Sequence, residues 1–158
     1  METVSYRPIG IIHSPFKENV GIPRQAVGAS EVKGTIEILD DFSEGLKDMG
    51  GFSHIVVVFH LHLVKSPRLK ACPPWDGREH GVFATRSPYR PNPVGVSVVR
   101  LEGIDGNNLH ISGIDMAEGS PVLDIKPYIP NLNPSKDVKI GWLTDKVEGM
   151  NQSKSGDR

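Results

Sequence analysis

The chain has 158 residues and a single cysteine, Cys72. No disulfide can form within it and no cysteine-based zinc site can be built, which fits a reducing compartment. Long apolar runs are also missing. The longest, Ile55 to Phe59, is closed by His60, far short of a membrane span. The opening METVSYRPIG has no basic segment followed by an apolar one, so no signal peptide is visible and the expected location is the cytoplasm. Charge of one sign is lacking as well. The formal net charge is −1, so a basic field over the whole molecule, the usual footprint of a nucleic-acid binder, is absent. The chain has no internal repeat and neither the Rossmann nor the P-loop glycine pattern.

Glycine and proline, by contrast, are plentiful: 17 and 13 residues, about a fifth of the chain. Such punctuation argues for short strands joined by turns rather than a helical bundle. A domain of this length buries most of its unfolded surface without a metal or disulfide staple. The charge is also uneven. Glu31 to Asp48 carries a local net of −4 and Lys65 to Arg100 a local net of +5, so a neutral average hides a usable basic face.

Hydrophobic alternation predicts strands over Tyr6–Ile12, Gly34–Leu39, Phe52–Val64, Gly81–Ala84, Val94–Ile104, Leu109–Ile114 and Val122–Ile129. A short helix is expected after Asp40 and Asp41, with Ser43 as its N-cap. Asp105-Gly106-Asn107 reads as a hairpin turn. Residues 65–80 read as an excursion. No helix separates successive strands, which argues against a doubly wound parallel sheet. The expected fold is a mainly β, small antiparallel barrel of about seven strands with one or two short helices. The barrel is placed at residues 1–130 and a partly disordered C-terminal extension at 131–158, frayed from Gly149 on.

Three groups of residues carry chemistry. His54, His60 and His62 share one face of a strand. They read as polar residues lining a half-buried strand or as the start of a metal site, and no metal is expected. The run Ala84-Thr-Arg-Ser-Pro-Tyr-Arg-Pro-Asn-Pro-Val-Gly-Val-Ser97 packs three prolines into six residues. Such a stiff loop presents Arg86, Ser87, Arg90 and Asn92 as a preorganised donor set, or is a proline-rich connection with two solvated arginines. Finally, Asp124, Lys126 and Tyr128 alternate onto one strand face, with Val122 also on it, as an acid–base site or as a cross-strand ion pair.

GIPRQ, FSHIVVVFH, VFATRSPYRPNPVGVS and EGSPVLDIKPYIP, in this order and spacing, resemble the TrmO (TsaA-like, YaeB-like) family of tRNA adenine-N6 methyltransferases. The likeness runs from about Tyr6 to Pro130. It implies a small β-barrel that binds S-adenosylmethionine beside the interface of a homodimer. It also implies methyl transfer to N6 of the threonylcarbamoyl-modified adenosine just 3′ of the tRNA anticodon. Matched residue by residue, Pro23, Arg24 and Gln25 correspond to a first cofactor loop, His60 and Leu61 to a second contact, and Arg86 to a third. Glu118, Gly119, Ser120 and Pro121 correspond to a last loop, often DGTP in the family, and Leu101 is a further candidate. Asp124 or Tyr128, tuned by Lys126, is then the expected base at N6. Arg90 and Asn92 are expected to face tRNA, with Trp75 or Tyr89 stacking on a splayed base. Other acceptors, or S-adenosylmethionine sensing without turnover, are the alternative readings.

Overall fold

The computed structural model describes residues 1–18, 21–23, 31–132, 137–152 and 154. Six antiparallel strands close a barrel in the order β1-β2-β7-β6-β3-β8. They are β1 (Gly10–His13), β2 (Lys33–Ile38), β3 (His54–His60), β6 (Val94–Asp105), β7 (Asn108–Ser112) and β8 (Pro121–Pro127). The remaining two, β4 (Lys70–Ala71) and β5 (His80–Gly81), form a separate two-stranded hairpin in the excursion.

The strand expected over Gly81–Ala84 is therefore corrected. Only Gly81 of that stretch is extended, and it belongs to the hairpin rather than the barrel. Val82–Ala84 is a 3₁₀ turn, because Thr85 sends both its N–H and its hydroxyl to the Val82 carbonyl. The short helix expected after Asp41 is instead a pair of 3₁₀ turns, Asp40–Leu46 and Met49–Gly51, and Ser43 lies inside the first rather than capping it.

Alternation along β3 and β6 divides the barrel wall in two. Ile55, Val57 and Phe59 of β3 point inward, joining Ile12, Ile36, Val99, Leu109, Ile111 and Val122 in the core. Val56 and Val58 point outward beside Val94, Val96 and Val98 of β6. Gly95 pairs with Phe59 and makes room for it: a Cβ there would lie 2.3 Å from the ring tip. The β6–β7 hairpin closes on Gly106-Asn107, where Gly106 alone takes positive φ (55°), the sign pattern of a type II′ turn.

Residues beyond Pro130 are partly built onto the excursion. A 3₁₀ turn at Gly141–Leu143 leads to α1 (Val147–Gln152), so the fraying expected from Gly149 gives way to helix as far as Gln152. Trp142 stacks on His80 at 3.9 Å between ring centres and donates its indole N–H to the Ala84 carbonyl (2.8 Å). Lys146 pairs with Asp76, whose fully buried carboxylate also meets His80 at 2.7 Å. No helix among the described residues is long and apolar enough to cross a membrane.

Candidate functional site

The β3 end and the start of β8 meet at one corner of the barrel. Beyond His60 the chain turns tightly, with the His62 N–H bonded to the His60 carbonyl and the Leu61 N–H to the Pro93 carbonyl before β6. His60, Leu61 and His62 are all half-buried there. The Glu118–Pro121 loop lies against them, with Ser120 Oγ 3.3 Å from His62 Nδ1. Gly119 permits this loop: its φ is +76°, a conformation disfavoured for residues with a Cβ.

The loop is anchored to the end of β1. Glu118 accepts the Ser14 N–H at 2.6 Å and stands 3.2 Å from His13 Nδ1. The other ring nitrogen of His13 is 2.7 Å from Glu37 on β2. A neutral imidazole has one N–H, so only the imidazolium satisfies both carboxylates as a donor. Hydrogen bonding to Glu37, and then to Glu118, accordingly raises the His13 pKa. The Ser14 amide, and secondarily His13, holds the Glu118 carboxyl below the ordinary range against its own partial burial. Burial, reinforced by repulsion from His60, lowers His62 and favours its neutral form.

A bulge at Leu123 re-aims β8 as it leaves this corner, since Val58 faces Asp124 while Phe59 faces Val122, so Val122 points into the core and does not share the face of Asp124 that simple alternation assigns to it. Beyond it, Asp124 lies in register with Val58, and Val58 with Val96. Asp124 Oδ2 is 2.7 Å from Lys126 Nζ, and its Oδ1 accepts the Ile125 N–H. Tyr128 continues the line, bonded through its N–H to the His54 carbonyl and set edge-on to the His54 ring. Arg86 reaches the same region, donating to the Val96 carbonyl at 3.3 Å on the part of β6 that runs past the end of β7.

Thus His60, Leu61, Glu118, Gly119, Ser120 and Pro121 come together, with Arg86 and Asp124 a short way along the outer face. Lys126 and Tyr128 lie progressively farther from the corner. Pro23 is buried and bridges Lys154, while Arg24 and Gln25 lie outside the described residues. Leu101 is not brought in. It is 8% exposed in the core, at the opposite end of the β3–β6 pair from His60. Arg90 Nη1 is engaged by the Thr85 and Ser87 carbonyls, and Asn92 is exposed with its carbonyl accepting the Val94 N–H. Trp75 is covered by α1, where a Cβ on Gly149 would lie 3.1 Å from the Trp75 Cβ. His13 and His62 are additions. The first reads in sequence only as a strand end, and the second only as a partner of His60.

The donor set suits a cofactor with a flat apolar ring, hydroxyls and an amino-acid end. Leu61 and Pro121 offer apolar surface, Glu118 an acceptor carboxylate, and Arg86 an exposed guanidinium with no carboxylate partner among the described residues, whereas the Ser120 side chain is fully buried against His62 and positions the loop. No three His, Cys, Asp or Glu residues among those described could hold a metal ion. A separate hollow of about 420 Å³ lies in the excursion, lined by Arg68, Leu69, Lys70, Ala71, Cys72 and Glu79, away from this corner.

Residues 11–133 match the family described as the tRNA-methyltransferase O N-terminal domain. A probable S-adenosyl-L-methionine-binding protein of Pyrococcus abyssi is 48% identical over 155 residues, covering 98% of this chain and 84% of that protein. A tRNA (adenine(37)-N6)-methyltransferase of Mus musculus is 36% identical over 84% of this chain, which spans 32% of the mouse protein. The crystal structure of TrmO from Pseudomonas aeruginosa superposes with a TM-score of 0.73 at 42% identity, over 89% of this chain and 63% of that one.

Proposed function

The chain belongs to the tRNA-methyltransferase O (TrmO) family, and from that premise we propose that it is an S-adenosylmethionine-dependent tRNA adenine-N6 methyltransferase. Its acceptor is the threonylcarbamoyl-modified adenosine beside the anticodon. The observation that carries this reading is the packing of the Glu118–Pro121 loop against His60–His62, two segments 58 residues apart at the Ser120–His62 contact.

When bound, S-adenosylmethionine supplies a methyl group already activated on sulfur, so no enzyme nucleophile is required. The protein's work is then alignment, which in favourable cases supplies about 7–11 kcal/mol of a barrier. Leu61 and Pro121 would pack the adenine, Glu118 would accept from hydroxyl or ammonium groups, and Arg86 would pair with the carboxylate, with the buried Ser120 holding the loop on His62. N6 in a urea-like linkage is a poor nucleophile until it loses its proton, so a base must stand near it. Asp124 takes that role, with Lys126 at 2.7 Å orienting the carboxylate and Tyr128 beyond it.

The working unit is a homodimer. Val94, Val96 and Val98 are each more than a third exposed on the face that carries Asp124 and Arg86. A second copy over these valines would bury them and wall the open side of the corner.

The test is incubation with labelled S-adenosylmethionine and tRNA, with and without the threonylcarbamoyl group. Methyl on modified tRNA alone is expected. Cofactor binding with no transfer to either tRNA would refute the acceptor and leave the cofactor assignment standing.

A further inference from the structure

Phe83 is 77% exposed at the centre of the Val82–Ala84 turn, an unfavourable setting for a phenyl ring. Its neighbours explain the turn but not the ring. Val82 is buried, with its N–H on the Leu69 carbonyl. Ala84 is held from the other side by the Trp142 indole N–H, and Trp142 is itself stacked on His80. His80 and Lys146 both close on the buried Asp76 carboxylate. The turn is therefore braced by the hairpin and by the C-terminal segment, and Phe83 projects from a support that needs no ordering on contact.

A cation stands over the ring. The Arg90 guanidinium stands 6.0 Å from the Phe83 ring centre, fixed by the Thr85 and Ser87 carbonyls. Arg68 lies 5.2 Å from the ring centre of Tyr89, and its N–H bonds the Tyr89 carbonyl. Arg86 follows Phe83 by three residues, and Lys65 to Arg100 as a whole carries a net of +5. Aromatic faces interleaved with guanidinium groups suit unpaired nucleotides, whose bases stack while their phosphates meet the cations.

We infer that Phe83 is a stacking platform for an unpaired base of the RNA acceptor, with Arg90 beside it for a flanking phosphate. This rests on the reading that the acceptor is a tRNA. It assigns to Phe83 the role that sequence alone suggests for Trp75 or Tyr89.

The test compares the wild-type chain with Phe83→Ala, Phe83→Leu and Phe83→Tyr for tRNA affinity across salt concentrations, for S-adenosylmethionine affinity, and for oligomeric state. Phe83→Ala and Phe83→Leu should weaken tRNA binding at least about five-fold, while Phe83→Tyr retains it. The salt slope should not change, because no phosphate contact is removed. Cofactor affinity and thermal stability should match wild type, and the KM for tRNA should rise with kcat little altered. Wild-type tRNA affinity in Phe83→Ala overturns the platform. So does a change in oligomeric state alone, which would make the turn a contact between copies. Failure of the wild-type chain to bind tRNA overturns the acceptor reading, and the platform with it.

Discussion

Gly95→Ala tests the packing that sets the end of β3. The added Cβ would lie 2.3 Å from Phe59 Cζ and 2.7 Å from each Cε. Carbon atoms rest at about 3.5–4.0 Å, so the ring must retreat by more than about 1 Å. It has little room to do so, being 3% exposed within the barrel core. Overpacking of this kind costs about 1–3 kcal/mol, or a fall in Tm of roughly 2–12 °C for a domain of this size. Phe59→Leu alone should cost about 1–2 kcal/mol through the space it leaves. In the double variant the new methyl occupies part of that space. The combined loss should fall short of the sum by about 1 kcal/mol, the mark of residues in contact. Urea unfolding of all four proteins measures this. Additive losses, or a Gly95→Ala variant as stable as wild type, would refute the steric account.

His13→Gln should show a pH-dependent cost. The raised His13 pKa contributes stability fully present below its unfolded value of 6.5 and lost as pH rises through the folded value. Lowered Glu118 contributes above 4.5 and loses this as pH falls through its own folded value. The half-exposed bridge should therefore supply about 0.5–1 kcal/mol near pH 5.5 and little at pH 9, and equal urea-midpoint losses at both would count against it. Asp124→Asn should slow methyl transfer by about 10²-fold or more with cofactor affinity kept, and Tyr128→Phe less so. Near-normal turnover by both would remove them as bases. Val96→Asp should convert the proposed dimer to monomer in sedimentation and weaken S-adenosylmethionine binding in parallel; a monomeric variant with unchanged affinity would show that the site is complete within one chain.

The fold was legible wherever one face of a strand is buried. β3 and β6 alternate because Ile55, Val57 and Phe59 face a core and their neighbours do not, and a one-residue slip would expose them all. The Gly81–Ala84 segment misled because its apolar residues are few and adjacent. Val82 is buried for tertiary reasons, while Thr85 closes the turn locally. At three or four residues, alternation cannot separate a strand from a turn. The C-terminal helix was missed for a different reason. α1 is six residues long and contains Gly149, so propensity alone would not form it. It is bound by contacts to Trp75 and by the Lys146–Asp76 pair, which no local pattern announces.

The corner of the site was legible for a similar reason in part. His60 sits on the alternating strand β3, so its face follows from parity, whereas the bulge at Leu123 turns Asp124 outward although Val122, two residues earlier, is in the core. What parity cannot give is which strands are neighbours, and here that decides the chemistry. Because β8 returns to lie between β1 and β3, its first loop meets both the His60–His62 turn and the end of β1. Glu118 thereby acquires His13, 105 residues away in sequence. The consequence for Glu118 is specific. One oxygen faces the His13 ring and the other accepts the Ser14 amide, so the carboxylate is oriented before any ligand arrives. Arg90 shows the opposite case. Its neighbours in sequence suggest a cation free for a phosphate, whereas Nη1 is already bound to two carbonyls of its own loop. An arginine so fixed offers a phosphate only its remaining donors, in a direction set by the loop. A stiff proline-rich run is what makes that direction constant.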